Sequence, residues 1–326
     1  MANYYGLKGF GSIHDDILNN NIQDSLIEYL DWALLEKGNY FNVTKGELSP
    51  NGQDMSRLRM SSNDAYVSGQ VWEGFRSNWV WQSGVSGVNI PAPIVGTNVD
   101  NPGISGVYVN DQFEPTSGVG DYSHYVDYFN GRVVFDNPIP TGTNLQAEFS
   151  YKYINVVYAN NVPWLREIQT KTQQPISEFY ETSTGSWNIP PECRLQLPAM
   201  AIEIVPTRKF KGYQLGGGQW VYTDVLVHCI AEDEMTRNKL VDIISFQNDK
   251  IVYNIDSNAL SNSNAYPLDE YGSPVPSALL YPEILKNYIK GQFRITNTTV
   301  EGMDMVSSNL FGGIVRFTTE GIISNI

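Results

Sequence analysis

The stretch "NLQAEFSYKYINVVY" constrains the fold more than any other. Over residues 145–153, Leu145, Ala147, Phe149, Tyr151 and Tyr153 alternate with Gln146, Glu148, Ser150 and Lys152. A period of two puts the first set on one face of an extended strand and the second on the other, whereas a helix would scatter both around its circumference. Just upstream, "YFNGRVVF" places Asn130-Gly131 between two aromatic and β-branched runs, a pair that favours a tight turn joining antiparallel strands. With "SGVYVN" and "VWEGFRSNWVW" nearby, residues 68–158 are expected to form a small antiparallel β-sandwich or barrel with its own core. This segment carries eight acids against three bases, Arg76, Arg132 and Lys152.

The flanking sequence reads differently. In "IHDDILNNNIQDSLIEYLDWALLEKG", Ile22, Leu26, Leu30, Ala33 and Leu34 recur at helical spacing. Ser12 stands three residues before Asp15, Asp15 and Asp16 suit the positive end of a helix dipole, and Gly38 suits a left-handed C-terminal residue, so a helix is predicted over 13–37. The polar, aperiodic run 44–63 reads as an extended connection that orders on assembly. Further on, "LQLPAMAIEIVP" and "QWVYTDVLVHCIA" read as strands, and "DEMTRNKLVDIISFQNDK" as a helix over 234–250 with Leu240, Ile243, Ile244 and Gln247 on one side and Arg237 and Lys239 elsewhere. Residues 257–278, rich in Asn, Ser and Pro, read as a long surface loop, and "QFRITNTTV" and "GGIVRFTTEGII" as closing strands. The class is therefore α+β. Its α+β part is made of 1–67, which holds the N-terminal helix and the extended connection, together with 159–326, and 68–158 is inserted between them.

Charged residues are only 17% of the chain, so much of the surface is neutral and polar, as in a protein that buries surface against copies of itself. A net charge of −14 argues against a phosphate-tracking nucleic-acid binder. Cys193 and Cys229 form no C-x-x-C pattern, so neither a disulfide framework nor a thiolate metal site is expected. The N-terminus has no basic-then-apolar leader and no apolar run long enough to span a bilayer, so neither secretion nor membrane insertion is expected, and the sequons at Asn42 and Asn297 read as chance matches.

The densest cluster of reactive side chains is His228, Cys229, Glu232, Asp233 and Glu234. On a strand His228 and Cys229 point to opposite faces, and the three acids stand where a helix begins, so packing and helix initiation explain the cluster. His14 and His124 lie in separate elements and complete no metal-ligand spacing. Gly216, Gly217 and Gly218 lack a following Gly-Lys-Ser/Thr and read as a hairpin turn rather than a phosphate cradle. Trp72, Trp79, Trp81 and the many tyrosines raise a carbohydrate-binding reading through sugar stacking, but Trp79 and Trp81 share one strand face, as core residues do. Paired carboxylates for glycoside hydrolysis are not singled out by any spacing. No catalytic, cofactor-binding or metal-ligating residue is assigned, and no cofactor is expected.

Several stretches together carry a resemblance: "DDILNNNIQDSLIEYLDWALLEKGNYFNV", "VWEGFRSNWVWQSGV", "YFNGRVVFDNPIPTGTNLQAEFSYKYINVVYA", "RLQLPAMAIEIVPTRKFKGYQLGG" and "VLVHCIAEDEMTRNKLVDIIS". Over residues 15–256 the chain resembles virion proteins of tailed bacteriophages, specifically neck or head-tail joining proteins of the tail-terminator kind. The resemblance implies a compact α+β protein in a homo-oligomeric ring, usually a hexamer, at the head-tail junction of the virion, assembled in the host cytoplasm. Its implied partners are other neck, connector and tail-tube or sheath proteins, with DNA passing through unbound and no membrane contact. The acidic β-rich insertion departs from that family's pattern. The alternative is a β-rich adhesin or baseplate component that binds a host surface glycan, and a hydrolase stands third.

Overall fold

The apolar stripe of the N-terminal helix needs a sheet to cover it, and a six-stranded one does so. The computed structural model describes residues 18–61, 66–82, 104, 106–116, 119–159, 196–214, 217–263, 278–307 and 310–323. The first helix, α1 (Leu18–Glu36), buries Ile22, Leu26, Leu30 and Leu34. It ends at Gly38, whose φ of +83° is the left-handed conformation a C-terminal glycine supplies. Ser12, Asp15 and Asp16, the predicted start of this helix, lie outside the described residues.

Small sheets follow. The strands are β1 (Tyr40–Val43), β2 (Arg59–Met60), β3 (Val71–Glu73), β4 (Gly106–Val109), β5 (Gln112–Pro115), β6 (His124–Asp127), β7 (Arg132–Phe135), β8 (Leu145–Ala147) and β9 (Phe149–Lys152). They pair as β1-β9, β2-β3-β7-β6 and β5-β4-β8, and wrap one core containing Trp72, Phe75, Trp79, Val107, Phe135 and Phe149. Three expectations are corrected here. The strand predicted over 145–153 breaks at Glu148 into β8 and β9, which pair different partners, and its polar face is not wet. Gln146, Ser150 and Lys152 are all buried, and their side chains reach Asp54, Asn42 and Asp31 respectively. The run 44–63 is no extended connection: β2 pairs β3, and Leu58 is 1% exposed in the core. The boundary drawn at residue 68 is crossed by both β1-β9 and β2-β3 pairing.

Asn130-Gly131 does lie in a hairpin, between β6 and β7, but the loop is four residues long, since Asp127 pairs Arg132. Gly131 is required twice over. Its φ is +65°, and a Cβ there would stand 2.5 Å from the Arg76 carbonyl oxygen.

The rest of the chain forms the large sheet. Its strands are β10 (Asn155–Tyr158), β11 (Ala199–Gln214), β12 (Gly217–Ala231), β13 (Ile251–Ile255), β14 (Ile289–Ser307) and β15 (Leu310–Ile323), in the spatial order β10-β11-β12-β15-β14-β13. Among the described strands of this sheet only β10 and β11 run parallel. The helix α2 (Glu234–Ser245) packs on the same face as α1, and Leu240, Val241 and Ile244 meet Val225, Val227, Val315 and Phe317. It stops short of the predicted residue 250, where Asp249 turns the chain with φ +67° into β13. Arg237, expected away from the apolar side, is 4% exposed and donates to the Gly312 carbonyl at 3.0 Å. The predicted loop at 257–278 begins instead as a short helix, α3 (Ser257–Asn262), capped by Asp256 and burying Leu260. Residues 264–277 lie outside the described residues. Leu260 packs with Trp32, Ile255 and Tyr281, the last from α4 (Tyr281–Asn287). The chain is thus a mixed α+β protein, mostly strand, with several sheets that include a curled half-barrel.

Candidate functional site

The sheet separates the reactive cluster read from the sequence. On β12, Cys229 shares a face with Val225 and Val227 in the core beneath the helices, and burial pushes its thiol up to about 12. A thiol held so far above neutrality is almost entirely protonated and is a poor nucleophile. His228 points the other way, where its Nε2 lies 2.7 Å from the Glu203 carboxylate on β11. Asp233 is the N-cap of α2: its Oδ1 accepts from the Thr236 backbone N–H at 2.8 Å. Hydrogen bonds from Thr236, from its side chain first and then from its backbone N–H, hold the Asp233 carboxyl below the usual range. Glu234 pairs with Arg237 at 3.1 Å, and the half-buried Glu232 is raised by burial, with Arg76 opposing the rise.

His124 sits in β6, a different sheet, where its Nδ1 is 2.8 Å from the Tyr122 carbonyl, and burial lowers its pKa. His14, Cys193 and Gly216 lie outside the described residues, and Gly217 and Gly218 open β12 at the hairpin turn. Among the described residues no three His, Cys, Asp or Glu side chains gather as a metal site would require. Trp72 and Trp79 are core residues. Trp79 is 1% exposed and stacks on Phe149 at 4.4 Å, and Trp81 packs against the same core. Trp72 and Trp79 therefore offer no open face to a sugar.

Two features escaped the sequence reading. The first is a set of buried charges where the small-sheet core meets the large sheet. Arg76 is fully buried; both of its terminal nitrogens donate to the Leu197 carbonyl at 3.1 Å, and one also reaches the Tyr153 carbonyl at 3.3 Å. Burial lowers its pKa to about 10, with Tyr151 and Glu232 opposing. Nearby, Lys152 of β9 meets Asp31 of α1 at 2.7 Å. One turn back on α1, the half-buried Glu28 is raised to about 7, first by burial and then by Asp31, with Lys152 opposing. These groups tie one core to the other.

The second feature is the two long hairpins of the large sheet. β11 outruns β10, whose last partner on it is Ile202, and β14 outruns β13, which pairs as far as Arg294. The overhanging parts carry exposed apolar side chains: Phe210 at 56%, Met303 at 44% and Met305 at 67%. "TRKFKGYQ" could have been read as a continuation of its strand, because Arg208, Phe210 and Gly212 alternate with Lys209, Lys211 and Tyr213.

No protein-family model matches this chain, and no curated protein sequence matches it.

Proposed function

We propose that this chain is a structural, self-assembling virion protein of the tailed-phage neck, of the tail-terminator kind. It forms a ring of identical subunits, six in number, which terminates the tail and joins it to the head connector. It carries out no catalysis and holds no cofactor. The observation that carries the reading is the pair of projecting hairpins that hold Phe210, Met303 and Met305 in the open beyond the ends of β10 and β13. Exposed apolar surface of this kind marks a place where proteins meet. The stretches that resemble neck proteins supply the setting, and the net charge of −14 suits a conduit that repels phosphate and lets DNA slide.

Two of the three tryptophans that would have favoured a glycan-binding adhesin, Trp72 and Trp79, are buried, which weakens that alternative. Reconstruction of the virion tests the proposal. The expected result is a ring of this chain at the head-tail junction. Density for it at the baseplate or on fibres would overturn the neck assignment and restore the adhesin reading.

A further inference from the structure

The large sheet ends in two strand edges that among the described residues have no neighbour. On one side, β11 has no outer partner beyond Ile202, and after the irregularity between Ile204 and Arg208 it continues in regular register with β12 through residues 208–212. On the other side, β14 has no partner strand beyond Ile295, to which Lys250 and Asp249 make the last backbone bonds; after Thr298, whose N–H reaches the Asn248 side chain at 3.4 Å, it runs in unbroken register with β15 over residues 302–305. An unpaired strand edge presents a row of N–H and C=O groups that another strand can take up.

The two edges are opposite in charge. Residues 205–214 contain Arg208, Lys209 and Lys211 and no acid, whereas residues 296–307 contain Glu301 and Asp304 and no base. In a chain of net charge −14, three bases gathered on one free edge are out of keeping with the whole. Two of the three bases, Lys209 and Lys211, lie on the face that carries Asp304, while Arg208 falls on the face of Phe210. Phe210 is level with Val221, and Met303 with Gly313, which is level with Cys229. Val221 and Cys229 stand an even number of residues apart on β12, so Phe210 and Met303 share the helix-bearing face. By alternation Lys209, Lys211 and Asp304 share the other, where Glu301 also reaches Arg316 at 3.1 Å.

We infer that the overhanging edge of β14 in one copy of this chain pairs antiparallel with the overhanging edge of β11 in the next, setting Phe210 beside Met303 and Lys209 beside Asp304. The direction follows from the sheet itself. β11 and β14 run oppositely within one subunit, so a neighbour in the same orientation presents β11 antiparallel to β14. Such a contact joins different surfaces head to tail and leaves a free edge at each end, as a ring or a filament requires. The overhangs lie at opposite ends of the sheet, so neighbours meet staggered along the strands, which then incline to the assembly axis as they do in a closed barrel. A slip of one residue would put Lys209 beside Met303 and is disfavoured by both faces at once.

The inference rests on the self-assembling reading above and supplies its contact surface. Its test is cysteine cross-linking of the full chain, concentrated until sedimentation shows self-association, with the wild-type chain as the control for Cys193 and Cys229. Lys209→Cys combined with Asp304→Cys is expected to give a covalent ladder under mild oxidation, as is Phe210→Cys with Met303→Cys. Lys209→Cys with Met303→Cys, whose side chains leave opposite faces, is expected to give none. Lys209→Glu with Lys211→Glu should weaken association on the order of tenfold, and Asp304→Lys in the same chain should restore it. An assembled protein that yields no ladder with either matched pair, or a chain that stays monomeric to its solubility limit, overturns the inference. A ring at the neck without the ladder leaves the functional reading standing and removes this contact. A ladder in open filaments, with no ring in the virion, supports the contact and removes the neck.

Discussion

Glu28 shows how a single carboxylate reports the packing around it. Its pKa is raised from 4.5 to about 7, chiefly by burial and next by Asp31. The folded chain therefore holds this proton more tightly than the unfolded chain between those values. Its contribution to stability is present in full at low pH and is lost as pH rises through about 7. Glu28→Gln should accordingly stabilise the protein at pH 8, on the order of 1–2 kcal/mol once the solvent reaching this half-buried group is allowed for, and change little at pH 5. Denaturant titrations at the two pH values measure this, and an equal effect at both would contradict the burial argument. Arg76 is the opposite case, a buried charge that the surrounding carbonyls need. Arg76→Met removes its bonds to the Leu197 and Tyr153 carbonyls and should cost about 3 kcal/mol. A cost under about 1 kcal/mol in the same titration would mean that water satisfies those carbonyls as well. Neither residue was legible in the sequence, because burial of a charge depends on partners more than 70 positions away.

At the scale of elements, sequence periodicity served well where one face alone is buried. The stripe of α1, the alternation of β12 and the start of α2 at Asp233 are all local patterns, and the structure has each of them. The reading fell short where both faces of an element are buried or where pairing is non-local. Gln146, Ser150 and Lys152 look solvent-facing by type, yet each is buried against a partner from a strand, loop or helix far away in sequence. In the same way, 44–63 looked structureless because its strand is two residues long and its burial rests on Leu58 and Ser56. A consequence follows for fragments. One spanning 39–159 retains β1, β2 and Leu58 and should melt cooperatively with dispersed amide resonances. One spanning 68–158 lacks them and should not; two equally well-folded fragments would show that β1 and β2 are accessory to that core.

Taken whole, the molecule has two large apolar cores joined through Arg76 and the Lys152–Asp31 pair, smaller clusters beside them, and one sheet whose diagonal corners have no neighbour among the described residues. The cores account for its stability, and the open corners for its proposed role. The candidate site was only partly legible beforehand. The neutral surface pointed to self-association, but nothing in the sequence marked which edges stay unpaired, since that depends on where β10 and β13 stop. Hydrogen exchange, comparing dilute monomer with assembled protein, tests the account most directly. Within residues 208–213 and 299–305, the amides that point away from β12 and β15 are expected to exchange freely in the monomer and to become protected together on assembly, while β5 at the far sheet is unchanged. Assembled protein in which both stretches exchange as fast as in the monomer would contradict it.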